Sequence, residues 1–517
     1  MQAPRNPHAL PAWVKAALAC LPWVAGGCGA VAIQHPTSEP PCAGAGCVGW
    51  TSLLLSGGRG PEENAVAHEK NLLFAARTLE HLGVRREAVF FADGDDPAPD
   101  LQQEEPEPRR RLLFAAGLLL DPERDIHEAA LAYRDHAFPG AQRADRGSVL
   151  RGLAASAAGA AAVKGPEAPD DLLLYVTDHG MQQDDPSNNV IVLWGPRDLS
   201  VRDLGAALDA QPPARRVVLV MAQCFSGSFA ALAHRGGDPA APLAAHDRCG
   251  FFAAPSDRPA AGCSPRDDEN LYDDYTTRFF AALGRKLRGG APAVSADADG
   301  DGRVSFEEAH FAAIALEQTQ DVPVSTSEEL LRRAHPDWPY TEESAPYERL
   351  LEGARPALRA AALALLSASS TPPRATLAEI RRKLERIQER YQGRRLEAEE
   401  QLAAAKLRAH EALRRAAGPV WGKSPAELLE RVGETTVKQW IQAAQPHFDE
   451  ALRQDARVEA LLMEAETHQA QLLRLLRMGE LQAMERRAAR EGGALWSSYL
   501  RLRRCEVSGP WPRLRGG

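Results

Sequence analysis

The chain has 517 residues, eight of them cysteine, with 44% hydrophobic residues and a formal net charge of −9. At about 150 residues per domain there is room for a few folded units, and the apolar content excludes wholesale disorder. The acidic balance argues against a general nucleic-acid binder, the sparse cysteines against a disulfide scaffold, and the lack of a long apolar run beyond the first fifty residues against a multi-span membrane protein.

Residues 1–28 carry Arg5 and Lys15, then an apolar stretch through Leu18, Leu21, Trp23 and Val24, then Ala25, Gly26, Gly27 and Cys28. A charged lead, an apolar core and a small-residue end make a secretory leader. Ala-Gly-Gly before a cysteine also resembles a bacterial lipoprotein signal, with Cys28 lipidated and the protein attached to a membrane. The expected location is therefore outside the bacterial cytoplasm: periplasmic, lipid-anchored or secreted. An untargeted leader would leave the protein cytoplasmic. Residues 29–49 read as a Gly-, Pro- and Ser-rich linker. Cys42 with Cys47, and Cys249 with Cys263, could each close a disulfide in an oxidising compartment, leaving Cys505 alone.

From residue 50 to 290 the pattern alternates. Thr51–Leu55, Ala88–Ala92, Asp171–Thr177, Arg216–Ala222 and Gly250–Ala254 are short apolar runs expected to be strands. Residues 65–82, closed by Gly83, residues 147–163 and Val201–Leu208 have helical spacing. Strands alternating with helices predict an α/β domain with a mainly parallel sheet covered on both faces. Sites in such sheets lie at the carboxyl ends of the strands.

Two strand ends carry chemistry. The third strand runs into Asp178-His179-Gly180, and the fourth into Gln223-Cys224-Phe225-Ser226-Gly227-Ser228. Neighbouring strands would bring an imidazole and a thiol to one edge. Thiolate is the nucleophile, and a nearby histidine raises its fraction. Backbone amides near Gly180 and Cys224 suit a developing oxyanion. A helix after Gly227 would bring a positive dipole end near the thiol. Taken singly, a cysteine after a strand is usually a small buried hydrophobe and a His-Gly pair a turn.

LLLYVTDHG and VVLVMAQCFSG resemble the histidine and cysteine boxes of the caspase-like cysteine peptidases, and among these the legumain-type family most. The resemblance covers about residues 50–285. It implies a caspase-like three-layer sandwich and a cysteine endopeptidase acting on protein or peptide substrates. His179 and Cys224 match the catalytic dyad, and Gly180 a glycine whose amide helps form the oxyanion hole. Asn64 matches an asparagine that supports the histidine. His68 and Asp274 match residues lining the pocket for the residue before the cleaved bond, beside which Gln223 also falls. Legumains have arginine where Ala67 stands and glutamate where Ala222 stands, so the charged pocket that selects asparagine is incomplete. Asp274 alone would favour a basic residue by charge complementarity.

Asp297, Asp299, Asp301, Arg303, Ser305 and Glu308 occupy the ligand positions of a twelve-residue EF-hand loop, with Gly302 at its sharp turn. Calcium is the expected ion, with Arg303 contributing its carbonyl. Residues 271–319 would supply the loop and two flanking helices, and an acidic surface turn is the plainer alternative. A calcium-fixed helix carrying Asp274 would tune the pocket.

Residues 346–505 read as all-helical. Leu377, Ile380, Leu384, Ile387 and Tyr391 form a coiled-coil stripe that weakens after Gly393. Ser424-Pro425 is a helix start, and residues 449–492 are again helical with arginine-rich faces, most simply solvated. Legumain-type zymogens carry a helical carboxyl-terminal segment over the site, so the resemblance implies either a pro-segment, with intramolecular inhibition and autoprocessing, or a partner-binding arm here. Two other functions fit the same residues: a transamidase using the same dyad, and a non-enzymatic, calcium-dependent interaction protein.

Overall fold

The computed structural model describes residues 47–95, 99–125, 130–163, 170–261, 273–336, 344–511 and 513–514. The leader, Cys28, Cys42 and Cys263 lie outside the described residues. Among those described, no helix is long and apolar enough to cross a membrane.

Six strands make the central sheet: β1 (Trp50–Ser56), β2 (Arg85–Phe91), β3 (Asp171–Val176), β4 (Val217–Met221), β5 (Arg248–Phe252) and β6 (Val324–Ser325). Their spatial order is β2-β1-β3-β4-β5-β6; all neighbours are parallel except the β5–β6 pair. Every residue of β1, β3, β4 and β5 is buried. Successive side chains point to opposite faces, so full burial requires cover on both. Before the 300s, that cover comes from α1 (Val66–His81), α3 (Arg146–Ala161), α4 (Val201–Leu208) and α5 (Tyr275–Gly284), while α2 (Arg109–Leu120) lies apart from the sheet core. In it α1 packs on α5, and α3 on α4. The fold is thus mixed α/β with a mostly parallel sheet.

The strand order reverses between β1 and β3. Chain leaving β1 goes one way and chain leaving β3 the other, which opens a crevice beyond their carboxyl ends. The expected neighbours β3 and β4 do pair, Leu174 beside Leu219 and Val176 beside Met221.

Several elements differ from the expectation. The fifth strand begins at Arg248 rather than Gly250, and β6 falls in a stretch that reads as connection. Helix α2 has no expected counterpart. Its sequence, RRRLLFAAGLLL, is apolar nearly all round, and eight of its twelve residues are buried. A helix buried on several sides lacks the one-face periodicity that reveals an amphipathic one.

The carboxyl region is helical: α6 (Phe306–Leu316), α7 (Thr326–Ala334), α8 (Pro356–Ala368), α9 (Leu377–Ala417), α10 (Pro425–Val432), α11 (Glu434–Ala444), α12 (His447–Glu491) and α13 (Gly493–Glu506). Helices α9 and α12 form a long antiparallel hairpin. Arg381 meets Glu480, Tyr391 meets Glu464, and Gln401 meets Arg457. The stripe that fades after Gly393 continues structurally as Ala398, Ala405, Ala409 and Ala412, all buried. Alanine carries little hydrophobic signal but lets helices approach closely. The hairpin's tip packs on α2, Phe114 against Phe448, with Arg111 paired to Asp449 at 2.8 Å.

At its base the hairpin is built into the sheet domain. Cys505 is not alone: it is disulfide-bonded to Cys249 of β5, which replaces the expected Cys249–Cys263 pair. Neighbours in sequence are favoured partners only until the fold brings a distant residue closer. Buried Arg355 pairs with Glu307 and Glu485, and buried Arg503 with Glu307 and Glu506. The Glu506 carboxylate also accepts from the Ser327 amide at 2.7 Å and hydroxyl at 2.6 Å.

Candidate active site

Three strand ends build the rim. After β1, Gly57 and Gly58 turn into the short helical turn Pro61–Glu63. Gly58 has φ +66, and a Cβ there would lie 2.7 Å from the Glu63 carbonyl oxygen. Only glycine lets that carbonyl come so close. It then meets His179, from the end of β3, whose Nε2 lies 2.8 Å from the Glu63 oxygen. A carbonyl can only accept, so Nε2 carries the proton and Nδ1 is the basic nitrogen. Asn64, expected beside the histidine, instead donates its Nδ2 to the Asp100 carbonyl at 3.0 Å. The support comes one residue earlier, from backbone.

Asp178 ties the two loops together. Its carboxyl accepts from the Gly58 amide at 3.1 Å and from the His179 amide at 2.7 Å. Burial pushes this carboxyl well above the ordinary aspartate range. His68 of α1 packs edge-on to His179, ring centroids 5.1 Å apart. Burial, with the His179 charge adding to it, holds the His68 imidazole well below its usual range.

Gly180 and Cys224 are in contact. A Cβ on Gly180 would fall 2.1 Å from the Cys224 carbonyl oxygen. His179 and Cys224, both half-buried, therefore share one rim of the sheet. The Cys224 thiol receives the Ala260 amide at 3.3 Å. Burial raises the thiol's pKa and the nearby Asp321 carboxyl adds to it, while that amide pulls the other way. Cys224 is the free cysteine among the described residues. Phe225 follows with φ +58, the left-handed region that a bulky residue occupies only under constraint.

The segment after Gly227 is not an α-helix. Ser226–Ala233 is a 3-10 helix whose first amides are occupied: Gly227 N donates to Ala254 O, and Ser228 N to Phe225 O. A helix dipole at the thiol is therefore not part of the site. The glycine at 227 is needed because a Cβ would lie 2.8 Å from the Ala254 oxygen, so the backbone must pack there.

The expected pocket residues are placed as follows. Gln223 is buried behind Gly180, its amide nitrogen 3.7 Å from the Met221 sulfur and its Oε1 without a hydrogen-bond partner. Asp274 is buried and caps α5, accepting from Thr277 N at 2.6 Å and from the Asn71 side chain at 2.7 Å. Asn71 also reaches Thr177, directly after β3, so Asp274 connects to the rim through α1.

In the acidic loop, Asp297, Asp299 and Glu308 bring carboxylate oxygens within 4.8 Å of one another. Asp301 instead pairs with Arg303 at 2.8 Å, and the Ser305 hydroxyl donates to Glu308 in a capping box. The guanidinium of Arg303 lies over the Trp511 ring. Burial raises the Asp299 and Glu308 carboxyls, with neighbouring aspartates adding to the effect. The preceding helix does not abut the loop: α5 ends at Gly284 and residues 285–296 intervene. The LGRKL stretch continues the helical composition, but Arg285 adopts φ +55 and stops the helix.

Comparison with protein-family models and with curated proteins finds no match. Among solved structures, protein GSU0716 from Geobacter sulfurreducens is similar at a TM-score of 0.31 and 12% identity, over 54% of this chain and 92% of that one.

Proposed function

We propose that the protein is a cysteine endopeptidase of caspase-like fold, closest to the legumain type, with His179 and Cys224 as its dyad. One observation carries the reading: the Gly180–Cys224 backbone contact, which sets an imidazole-bearing loop against a thiol-bearing one at the crevice of a parallel sheet. The Cys224 sulfur attacks a peptide carbonyl. His179 Nδ1 takes the thiol proton and delivers it to the leaving amine; water then hydrolyses the thioester. The Gly180 and Cys224 amides would hold the oxyanion that forms. The Glu63 carbonyl and the His68 ring orient the imidazole, and Asp178 holds their loops together.

A hard divalent cation, calcium by the loop's sequence, would be held by Asp297, Asp299 and Glu308. Their all-oxygen donor set and clustered like charges favour it. It would fix the start of α6, adjoining Glu307 and its arginine partners. Calcium should raise the melting temperature, and chelator reverse it; an Asp299→Asn variant should show no such response.

The function test is cleavage of a peptide library by the wild-type protein and by Cys224→Ala. Cleavage lost in the variant supports the reading. Mass analysis with added amine then separates hydrolysis from transamidation. An intact library would leave calcium-dependent interaction as the better account.

A further inference from the structure

The Ala260 amide that meets the thiol is itself held by a relay that ends on the carboxyl-terminal hairpin. Gln320 donates its Nε2 to the Ala260 carbonyl at 2.9 Å, and the Ala261 amide donates to the Asp321 carboxyl. The other Asp321 oxygen accepts from Tyr275 N at 3.0 Å, fastening the same turn to the start of α5. The turn at residues 317–321 follows α6 and is stiffened from within: Thr319 donates its amide, at 3.0 Å, and its hydroxyl, at 2.6 Å, to Glu317.

Three of the turn's carbonyls face one side chain. Arg474 of α12 donates Nε to Asp321 O at 2.6 Å, Nη1 to Glu317 O at 2.6 Å and Nη2 to Thr319 O at 2.7 Å. It is 1% exposed. A planar guanidinium can serve three carbonyls at once, which an ammonium cannot match. Glu317, Asp321 and, beyond them, Asp273 face its charge, though burial pushes the Glu317 carboxyl well up and the Asp321 carboxyl to about 7, so they offset it only in part. The tie therefore runs from a helix about 250 residues beyond the thiol in sequence, through one turn, to the amide on that thiol.

We infer that Arg474 and Gln320 are positioning residues for Cys224: they hold the Ala260 N–H against the sulfur, where it stabilises the thiolate over the thiol. The inference rests on reading Cys224 as the nucleophile. It also gives the carboxyl-terminal hairpin a supporting role at the site. Calcium at the start of α6 and the thiol tie at its end would act on one helix.

The test is the rate of Cys224 alkylation by iodoacetamide across pH, in the full-length protein with its disulfide intact, alongside kcat/KM on a peptide substrate. Gln320→Met keeps the side chain's length without the donor. Gln320 is only half-buried, so this variant should melt with the wild type. Arg474→Lys keeps the charge without the fork. Both should move the alkylation midpoint to higher pH and slow alkylation at neutral pH about tenfold, as for a weakened hydrogen bond to a charged acceptor. A merely structural role would leave the Gln320→Met profile on the wild-type curve, and that result overturns the inference. If the profile shifts but no peptide is cleaved by any form, the endopeptidase reading fails while the tether stands. If the wild type cleaves peptides and the profile does not move, the tether alone fails.

Discussion

The sheet rim and the base of the helical hairpin solve opposite problems. At the rim, the groups proposed to carry chemistry are few, half-buried and oriented mostly by backbone: the Glu63 carbonyl on His179 and the Ala260 amide on Cys224. At the base, the groups are many, charged and fully buried, and they hold each other: Arg355, Arg503, Glu307, Glu485 and Glu506. Altering the rim is expected to cost activity more than folding, whereas the base joins helices to sheet. The difference teaches that the candidate reactive groups sit on short local stretches, while the framework holding them is assembled from distant ones.

The largest expected effect is at the base. Arg355→Met leaves Glu307 and Glu485 buried with a missing partner and should destabilise the fold by roughly 3–5 kcal/mol. Denaturant unfolding would measure it; a change within error would mean the hairpin is only loosely attached. The same ions set the acid response. Arg503 and Arg355 hold the Glu307 carboxyl down, to about 2. A depressed carboxyl stabilises the fold above its unfolded value of about 4.5 and loses that contribution as pH falls toward 2. At about 1.4 kcal/mol per pKa unit, Glu307 contributes about 3 kcal/mol near neutrality. Glu307→Gln should flatten the stability profile in that acidic window, and an unchanged profile would remove the base from the comparison.

At the rim, effects should appear in activity rather than stability. Gly180→Ala forces a carbon against the Cys224 carbonyl and displaces one loop from the other. Misplacement near 1 Å costs about a hundredfold in rate. A drop in kcat/KM of that order is expected, with the unfolding midpoint shifted much less. The smallest effect expected is the calcium response. Saturating calcium at about a hundred times its dissociation constant adds about 2.7 kcal/mol, a rise of several degrees in melting temperature. Asp297→Asn should remove the rise and leave the apo protein unchanged.

The two regions also differ in how far they are legible in sequence. Five of the strands, the mostly parallel sheet and the placing of His179 and Cys224 at one rim follow from apolar runs and the residues just after them. Those signals are local. The orienting groups are not: a carbonyl at Glu63 and an amide at Ala260 leave no mark in a side-chain pattern. Asn64 looks like the natural support for the histidine because its side chain is polar, yet the chain uses the preceding backbone. Helix α2 is hidden because burial on several sides removes periodicity. The Cys249–Cys505 bond is hidden because nothing local distinguishes one distant cysteine from a near one. Asp178 was visible beside the histidine, but its part in joining β1 to β3 needs the fold.

The central claim is that the rim makes Cys224 a histidine-assisted nucleophile. It is tested most directly by intact-mass labelling with a peptide bearing a thiol-directed acyloxymethyl ketone. The account predicts one adduct, located at Cys224, absent in Cys224→Ala and formed far more slowly in His179→Ala. Labelling of His179→Ala at the wild-type rate, or no labelling of the wild-type protein, would contradict it.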